Sequence, residues 1–258
     1  MTQLLNSLRT PSLIFLLTLS SVTLSQELPA PIITPADESN LNEMGELTDG
    51  RVKEKPQIEK LRDEKYRIGS IKIDKAKRLI SIPGKMLSYE DGKPIEFIAT
   101  MKNGYKSYES VFMLDSNAFE FNLACILIGL NSSHADPSKF HFDPEPVKGD
   151  PVVIKVSWES NDKINEYDIV ELLKIGNADT NTSITPSVPS EWSYTGSMFV
   201  NGDQYLAQMD GVLIGVVHDP ASIIEHRIGL LNYGFLSIDA SKAPQRGQEI
   251  LITIQAID

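Results

Sequence analysis

The sequence predicts an α+β fold, a β-rich single domain with a mostly antiparallel sheet and one main packed helix after a disordered N-terminal tail. Many short apolar or alternating segments after residue 66, separated by Gly, Asn, Asp and Pro, are typical of strands. Residues 117–130 combine a cap with helical apolar spacing and are the clearest helix of the chain. Roughly 190 residues follow residue 66, enough for one hydrophobic core.

Residues 1–25 have the three parts of a signal peptide. Arg9 lies in a polar start, an apolar stretch runs from Leu13 to Leu24, and the small residues Thr23 and Ser25 occupy the positions that a signal peptidase reads. The apolar stretch is shorter than the roughly 20 residues of a spanning helix. We therefore expect cleavage, a periplasmic or extracellular protein, and no transmembrane segment after cleavage.

Residues 26–66 are predicted to be an acidic, Pro-containing linker, and residues 67–258 the folded domain. The linker carries Pro29, Pro31, Pro35 and Pro56, many charges and little apolar periodicity. A short charged helix within 54–65 is left open, because acids and bases interleave there at helical spacing.

The first predicted strands form hairpins. Arg67–Asp74 alternates, and Arg78–Pro83 follows after a charged turn. Ile95–Met101 and Tyr105–Leu114 predict two further strands. The Asn-Gly pair at 103–104 between them is a strong hairpin signal.

The helix is predicted from Asn117 to Leu130, with Asp115, Ser116 or Asn117 as its cap. Its apolar residues recur at helical spacing and should form the stripe that packs on the sheet. That stripe consists of Phe119, Leu123, Ile126, Leu127 and Leu130.

The second half of the chain again contains short alternating apolar segments that are typical of strands. Pro151–Trp158 alternates, whereas 164–175 is ambiguous between strand and short helix. A turn into a short helix is predicted at 219–224. Further strands are predicted at 192–200, 204–208, 211–218 and 249–257.

Charge and cysteine content exclude several classes of function. The chain has 24 basic and 35 acidic residues, a net charge of -11. Such a chain repels phosphate backbones, so no nucleic-acid partner is expected. The single cysteine, Cys125, rules out an intramolecular disulfide and a multi-cysteine metal site, and its apolar neighbours indicate a buried side chain.

Several motifs together resemble a known family. They read IEFIAT at 95–100, KSYES at 106–110 and NLACILIGL at 122–130, with EWSYTGS at 191–197, DGVLIG at 210–215 and HDP at 218–220. Across roughly residues 70–225 the chain resembles the YdjY-domain family of exported bacterial proteins. Tyr108 stands where that family more often has His, so the resemblance assigns no imidazole role at this position.

Glu109, with Tyr108 beside it, is the candidate for a catalytic or binding carboxylate. It is predicted to lie mid-strand, where a buried carboxylate is costly unless it is paired or protonated. The alternative, which we favour, is a polar residue bonded to a loop.

Two His-x-Asp pairs could ligate a metal ion. His134 with Asp136 and His141 with Asp143 lie in one Pro-rich segment, and imidazole and carboxylate suit zinc and similar ions. We favour a solvated loop, because metal sites usually take ligands from rigid elements. The sequence predicts no cofactor, and only a metal ion at these residues is left open.

Three further residues are candidates for binding. Trp192 and Tyr194 could form a stacking platform if exposed, although core anchors are the favoured interpretation. His218 ends a predicted strand, where a turn or cap role is favoured over a base.

Two functions follow from these observations. The favoured one is a non-catalytic binding or scaffold module of the cell envelope, with an envelope protein or polymer as partner. The alternative is a metal-dependent or acid-base enzyme that uses Glu109 with His134, His141 or His218. The absence of a nucleophile elbow, phosphate loop or dinucleotide motif favours the first.

Overall fold

The computed structural model describes residues 48–87, 94–177, 182–184, 191–230 and 235–257. The predicted signal peptide and residues 26–47 of the predicted linker lie outside the described residues. No helix in the described part of the chain is long and apolar enough to cross a membrane.

Strands dominate the described residues. In chain order they are β1 Ile58–Arg62, β2 Lys65–Ile68, β3 Ile71–Asp74, β4 Leu79–Met86, β5 Phe97–Met101, β6 Ser110–Leu114, β7 Asp150–Ser160, β8 Lys163–Asp168, β9 Leu173–Asn177, β10 Thr182–Ile184, β11 Trp192–Tyr194, β12 Phe199–Val200, β13 Gln204–Tyr205, β14 Val212–Gly215, β15 Ile224–His226, β16 Phe235–Ile238 and β17 Glu249–Ala256. The helices are α1 Ala118–Leu127 and α2 Leu206–Asp210, with 3₁₀ helices at Tyr105–Glu109, Ser132–His134 and Ile169–Leu172.

Eight strands close into a barrel in the order β4-β17-β7-β11-β15-β14-β5-β6, because β6 pairs back onto β4. An eight-stranded barrel has an interior that side chains just fill. β3, β2 and β1 continue the sheet outward from β4, and β8 pairs with β7. The prediction of a mostly antiparallel sheet is only partly right, since the pairs β5–β6 and β14–β15 are parallel.

The strands β4, β17 and β7 form a long antiparallel wall, hereafter the antiparallel wall. The alternation predicted for Pro151–Trp158 is confirmed. Val152, Ile154, Val156 and Trp158 are buried, and the residues between them are more exposed. β17 alternates in the same way, so both strands direct one row of apolar side chains into the core.

β4 changes neighbour halfway along its length. Residues 79–81 pair with β3, whereas residues 84–86 pair with β6. Pro83, which has no N–H to donate, lies between the two pairings. At Gly84 a Cβ atom would come within 2.5 Å of the Met113 carbonyl oxygen, so the close approach of β4 to β6 requires glycine there.

The predicted helix is present, and its cap is Asn117. The Asn117 side chain accepts a hydrogen bond from the Glu120 amide, and the Glu120 carboxylate accepts one from the Asn117 amide. This is a capping box, which stabilises the first turn. Glu120 is therefore a structural residue of the helix start.

The predicted stripe of the helix is wrong in part. Leu130 is buried and Phe119, Leu123 and Leu127 pack partly buried against the core, but the Ile126 side chain is 49% exposed. The fully buried face of α1 consists of Ala118, Phe121, Ala124 and Cys125. Small residues on this face let α1 lie close to β3 and β14, so burial follows size as well as hydrophobicity.

Three other local predictions are corrected. Residues 58–62 form the exposed strand β1, and no helix occupies the described residues 54–65. Residues 105–109 form a 3₁₀ helix, so β6 runs parallel to β5 and the two strands are not a hairpin. Residues 224–226 form β15, because the buried Ile223 and Ile224 extend the barrel beside β14.

Candidate functional site

The parallel pair β5 and β6 brings two glutamates together. Phe97 pairs with Ser110, so the residues just before these partners, Glu96 and Glu109, lie at one edge of the barrel. The Glu96 amide donates a hydrogen bond to the Glu109 carbonyl oxygen over 3.0 Å. Glu109 thus ends the 3₁₀ helix and does not lie mid-strand as predicted.

The end of β14 reaches the same edge because β14 runs antiparallel to β5. The amides of Val216 and Val217 both donate to the Glu96 carbonyl oxygen, over 3.1 and 3.2 Å. The chain then continues to Asp219, whose carboxylate accepts a hydrogen bond from the Ala221 amide. This turn fixes a third carboxyl group beside Glu96.

The loop of residues 138–145 covers this edge and contributes His141. The Phe142 amide donates to the His218 carbonyl oxygen over 2.9 Å, which ties the loop to the segment after β14. Nε2 of His141 lies 3.1 Å from a Glu96 carboxylate oxygen and 3.9 Å from one of Asp219. The hydrogen bond to Glu96 raises the pKa of His141 against the effect of its partial burial.

Lys106 and Glu109 form the second contact of the site. Nζ of Lys106 lies 2.7 Å from Oε1 of Glu109, and both side chains are less than one-fifth exposed. Burial raises the pKa of Glu109 and the charge of Glu96 adds to it, although Lys106 and Tyr108 oppose the shift through hydrogen bonds. Burial, together with the charge of Glu109, raises the pKa of Tyr108 to about 12, so its hydroxyl stays protonated.

These groups interact electrostatically as one set, together with the carboxyl group of Asp210 at the end of α2. We call the set the charged cluster. It consists of Glu96, Lys106, Glu109, His141, Asp210 and Asp219. Burial is the main cause that raises the pKa values of Asp210 and Asp219. Four carboxyl groups face two basic groups, which leaves two excess negative charges when all are ionised.

Backbone strain and exposed aromatic rings mark the loop beside the charged cluster. Phe142 has a φ of 62°, a left-handed conformation that is unfavourable for a bulky residue and concentrates at functional sites. Its ring stacks on the His141 imidazole with centroids 3.8 Å apart. Phe140 and Phe142 are 57% and 42% exposed, so two apolar rings face solvent next to the charged cluster.

The family model of the YdjY domain matches residues 71–255, which include the charged cluster and all of the barrel strands except Ala256 at the end of β17. The chain belongs to the YdjY domain family. The resemblance noted in the sequence is thereby confirmed. No curated protein and no solved structure matches the chain.

The charged cluster of this YdjY domain contains two of the residues predicted for a site, Glu109 and His141. Tyr108 lies against Lys106 and Glu109. His218 is elsewhere, buried behind the charged cluster at 2% exposure. Glu109 and one of the three predicted histidines therefore share a site.

The four predicted metal ligands are divided among separate contacts. His134 pairs with Asp150 at 2.7 Å, and Asp136 lies 3.9 Å from Lys148. The Asp143 carboxylate accepts hydrogen bonds from the backbone amides of Lys139 and Glu145, which lower its pKa. Among the residues that the structure describes, no three His, Cys, Asp or Glu side chains are arranged to hold a metal ion.

The aromatic residues of the YdjY domain proposed as a platform are core anchors. Trp192 and Tyr194 are 1% and 0% exposed. The Tyr194 hydroxyl donates to the Asn122 side chain over 2.6 Å, so its polar atom is satisfied inside the protein.

Sequence reasoning missed four members of the charged cluster: Glu96, Lys106, Asp210 and Asp219. A signal was nevertheless present in the YdjY motifs. Each of the segments IEFIAT, KSYES, DGVLIG and HDP supplies at least one ionisable residue of the charged cluster. Their convergence depends on the parallel register of β5 and β6, which alternation of side chains does not reveal.

Proposed function

We propose that this YdjY domain is a binding module of the cell envelope that holds a cationic group of its ligand at the charged cluster. The observation that carries the proposal is the excess of carboxyl groups at a half-buried edge. Glu109, Asp210 and Asp219 all have pKa values raised by burial. A bound cation would favour their ionised forms and so gain binding energy from them.

The chemistry of an ammonium or guanidinium group fits this environment. Lys106 already places an ammonium group on Glu109 at 2.7 Å, which is a charge-assisted contact. Glu96 and Asp219 hold a second basic group, His141, less closely at 3.1 and 3.9 Å. We place the ligand amine beside Asp210 and Asp219, because Lys106 and His141 act on Asp210 only through their charges.

The exposed rings of Phe140 and Phe142 suggest that an apolar part of the ligand lies next to the cation. Aromatic rings contribute both contact area and cation–π attraction. A basic segment of an envelope protein has both properties. The acidic net charge of -11 would speed its encounter with such a partner.

The test is isothermal titration calorimetry with a synthetic peptide of alternating lysine and phenylalanine. We expect wild-type protein to bind it, and Asp219→Asn and Glu109→Gln to bind it about tenfold or more weakly, because each loses a buried charge. Glu166→Gln removes an exposed carboxylate on β8 and should leave the affinity unchanged.

The same peptide with acetylated lysines separates charge recognition from apolar adhesion. Acetylation removes the positive charge and keeps the length of the side chain, so we expect binding to be lost. Equal affinities of both peptides, or of wild type and Asp219→Asn, would contradict the proposal.

A second candidate function, acid-base catalysis, is supported by the contact between His141 and Glu96. A half-exposed imidazole on a carboxylate, with a second carboxylate 3.9 Å away, is an arrangement suited to proton transfer. Mass spectrometry of the peptide after long incubation distinguishes the two functions. Product formed by wild type and not by His141→Asn indicates an enzyme, and unchanged peptide indicates a binding module.

A further inference from the structure

A layer of buried polar side chains lies behind the charged cluster. Ser138, His218, Glu225 and His226 are each at most 2% exposed. Buried polar groups are costly unless hydrogen bonds or opposite charges compensate them. The contacts of these four side chains show how the cost of their burial is compensated.

Both ring nitrogens of His218 face carbonyl oxygens. Nδ1 lies 2.6 Å from the Asp143 oxygen and Nε2 lies 3.0 Å from the His226 oxygen. A carbonyl oxygen only accepts, so both contacts are hydrogen bonds only when both nitrogens carry a proton. The geometry thus fits the imidazolium form, a buried cation that requires a counter-charge.

Glu225 supplies a negative charge that acts on His218 at a distance. Its carboxyl group interacts with the charge of His218, and the hydroxyl and amide of Ser138 face it. Its Oε2 accepts a hydrogen bond from the Asp219 amide over 3.1 Å. One carboxyl group therefore contacts both the 138–145 loop and the turn that bears Asp219.

The titratable groups around Glu225 come from three elements, one of which is the 138–145 loop with Asp143, whose carboxylate interacts with the charge of His218. His218 and Asp219 belong to the segment after β14, and His226 belongs to β15 itself. The residues opposite Glu225 on the neighbouring strands are the uncharged Ser193 of β11 and Gly215 of β14.

We propose that Glu225 and His218 are positioning residues that hold His141 and Asp219 in the charged cluster only while Glu225 is ionised, so that ligand binding weakens as the pH falls. This inference rests on the proposed function for its ligand. The ionised pair fixes the 138–145 loop through the Asp143 carbonyl and the Asp219 turn through its amide. Protonation of Glu225 removes the charge that His218 needs.

The pKa of Glu225 lies in the range where this control operates. Burial raises it to about 7, while the nearby Ser138, the charge of His218 and the Asp219 amide oppose the rise. Below this value the carboxyl group is neutral in most molecules. For coupling to one proton, ligand affinity falls about tenfold for each pH unit below the midpoint.

The first experiment needs neither ligand nor variant. In ¹H–¹⁵N spectra of the wild-type protein between pH 5 and 9, the Asp219 amide should show a titration step with a midpoint near 7. The Phe142 amide, which donates to the His218 carbonyl, should move with the same midpoint. Absence of a step at the Asp219 amide would overturn the proposal.

Variants assign the step to Glu225. Glu225→Gln keeps the shape of the side chain and should abolish the step, whereas Glu249→Gln, an exposed change on β17, should preserve it. A step that survives in Glu225→Gln would arise from the Asp219 or His141 side chains and would overturn the proposal.

The lysine–phenylalanine peptide then tests regulation. Its affinity for wild type should fall about tenfold per pH unit below the step, with a much smaller fall in Glu225→Gln. If the step is present but the peptide binds at no pH, the binding function is overturned and the positioning role of Glu225 stands. If the peptide binds with the same pH dependence in both proteins, the regulatory inference is overturned and the binding function stands.

Discussion

The antiparallel wall and the edge that carries the charged cluster differ in how they are stabilised. The wall consists of long strands whose apolar side chains face inward in register. For example, Ile254 of β17 pairs with Ile80 of β4 and Ile154 of β7, and all three are fully buried. The edge consists of strand ends and loops, and it places carboxyl groups where burial raises their pKa values. The apolar contacts of the wall stabilise the folded protein. The buried carboxyl groups of the edge destabilise it, but they concentrate negative charge at one site.

The largest expected effect comes from truncation within the wall. Ile254→Ala should lower the free energy of unfolding by about 2–5 kcal/mol, because it leaves a cavity between two neighbouring strands. Urea denaturation measures the change. Leu251→Ala, on the same strand but 38% exposed, should cost less than about 1 kcal/mol. Equal costs would mean that the wall is not the packed side of the barrel.

The second-largest expected effect is a pH dependence of the free energy of unfolding, caused by Glu225 in the buried layer behind the edge. The pKa of Glu225 is raised to about 7 in the folded protein, so the folded state holds this proton more tightly than the unfolded state. The resulting stability is complete below about pH 4.5 and is lost as the pH rises to 7, a decrease of about 3 kcal/mol.

Unfolding free energies at pH 5 and pH 8 test this sign. Glu109, Asp210 and Asp219 shift in the same direction, so the informative quantity is the difference between wild type and Glu225→Gln. The variant should lose less stability between the two pH values than wild type loses. A larger loss in the variant would contradict the sign of the Glu225 shift.

A smaller effect on stability, opposite in sign to truncation in the wall, is expected when one carboxylate of the edge is removed. Asp210→Asn removes a partly buried carboxylate that Asp219 repels, so it should raise the free energy of unfolding at pH 8 by about 0.5–1 kcal/mol. The same variant should bind the lysine–phenylalanine peptide more weakly in calorimetry. A lower free energy of unfolding in the variant would show that Asp210 makes a stabilising contact and is not a destabilising carboxylate.

The smallest effect is expected at the ion pair of His134 and Asp150, which lies outside the edge. His134 contacts Asp150 at 2.7 Å, but its side chain is 60% exposed. Exposed ion pairs contribute little, so His134→Ala should change the free energy of unfolding by less than about 1 kcal/mol. Peptide affinity should stay at the wild-type value. A tenfold loss of affinity would place His134 in the ligand site.

The same contrast explains how far the sequence could predict this protein. Alternation at Val152, Ile154 and Val156 predicts the wall, because period-two burial leaves a direct trace in a strand. The sequence also predicts a cap at Asp115, Ser116 or Asn117, and the structure shows that the cap is Asn117. The stripe that included Ile126 was partly wrong, because small residues such as Ala124 occupy the buried face of α1.

The sequence pattern predicts the edge less well than the wall. The sequence predicts Glu109 as a candidate site residue but does not predict its neighbours Glu96 and Asp219. Their proximity depends on a 3₁₀ helix that turns β6 parallel to β5, and an Asn-Gly pair before that helix instead indicates a hairpin. Long-range register, which no local pattern encodes, decides the composition of the charged cluster.

The change of neighbour along β4 has a consequence for local unfolding. The outer strands β1, β2 and β3 join the sheet of the barrel through the pairing of β3 with residues 79–81 of β4, whereas the barrel is closed by residues 84–86 on the other side of Pro83. Detachment of the outer strands therefore breaks no hydrogen bond of the closure. We expect β1, whose residues are all exposed, to exchange its amide hydrogens as part of a less protected outer unit. β3, whose Ile71 and Ile73 are buried beside α1, and β4 beyond Pro83 should open only with the whole barrel.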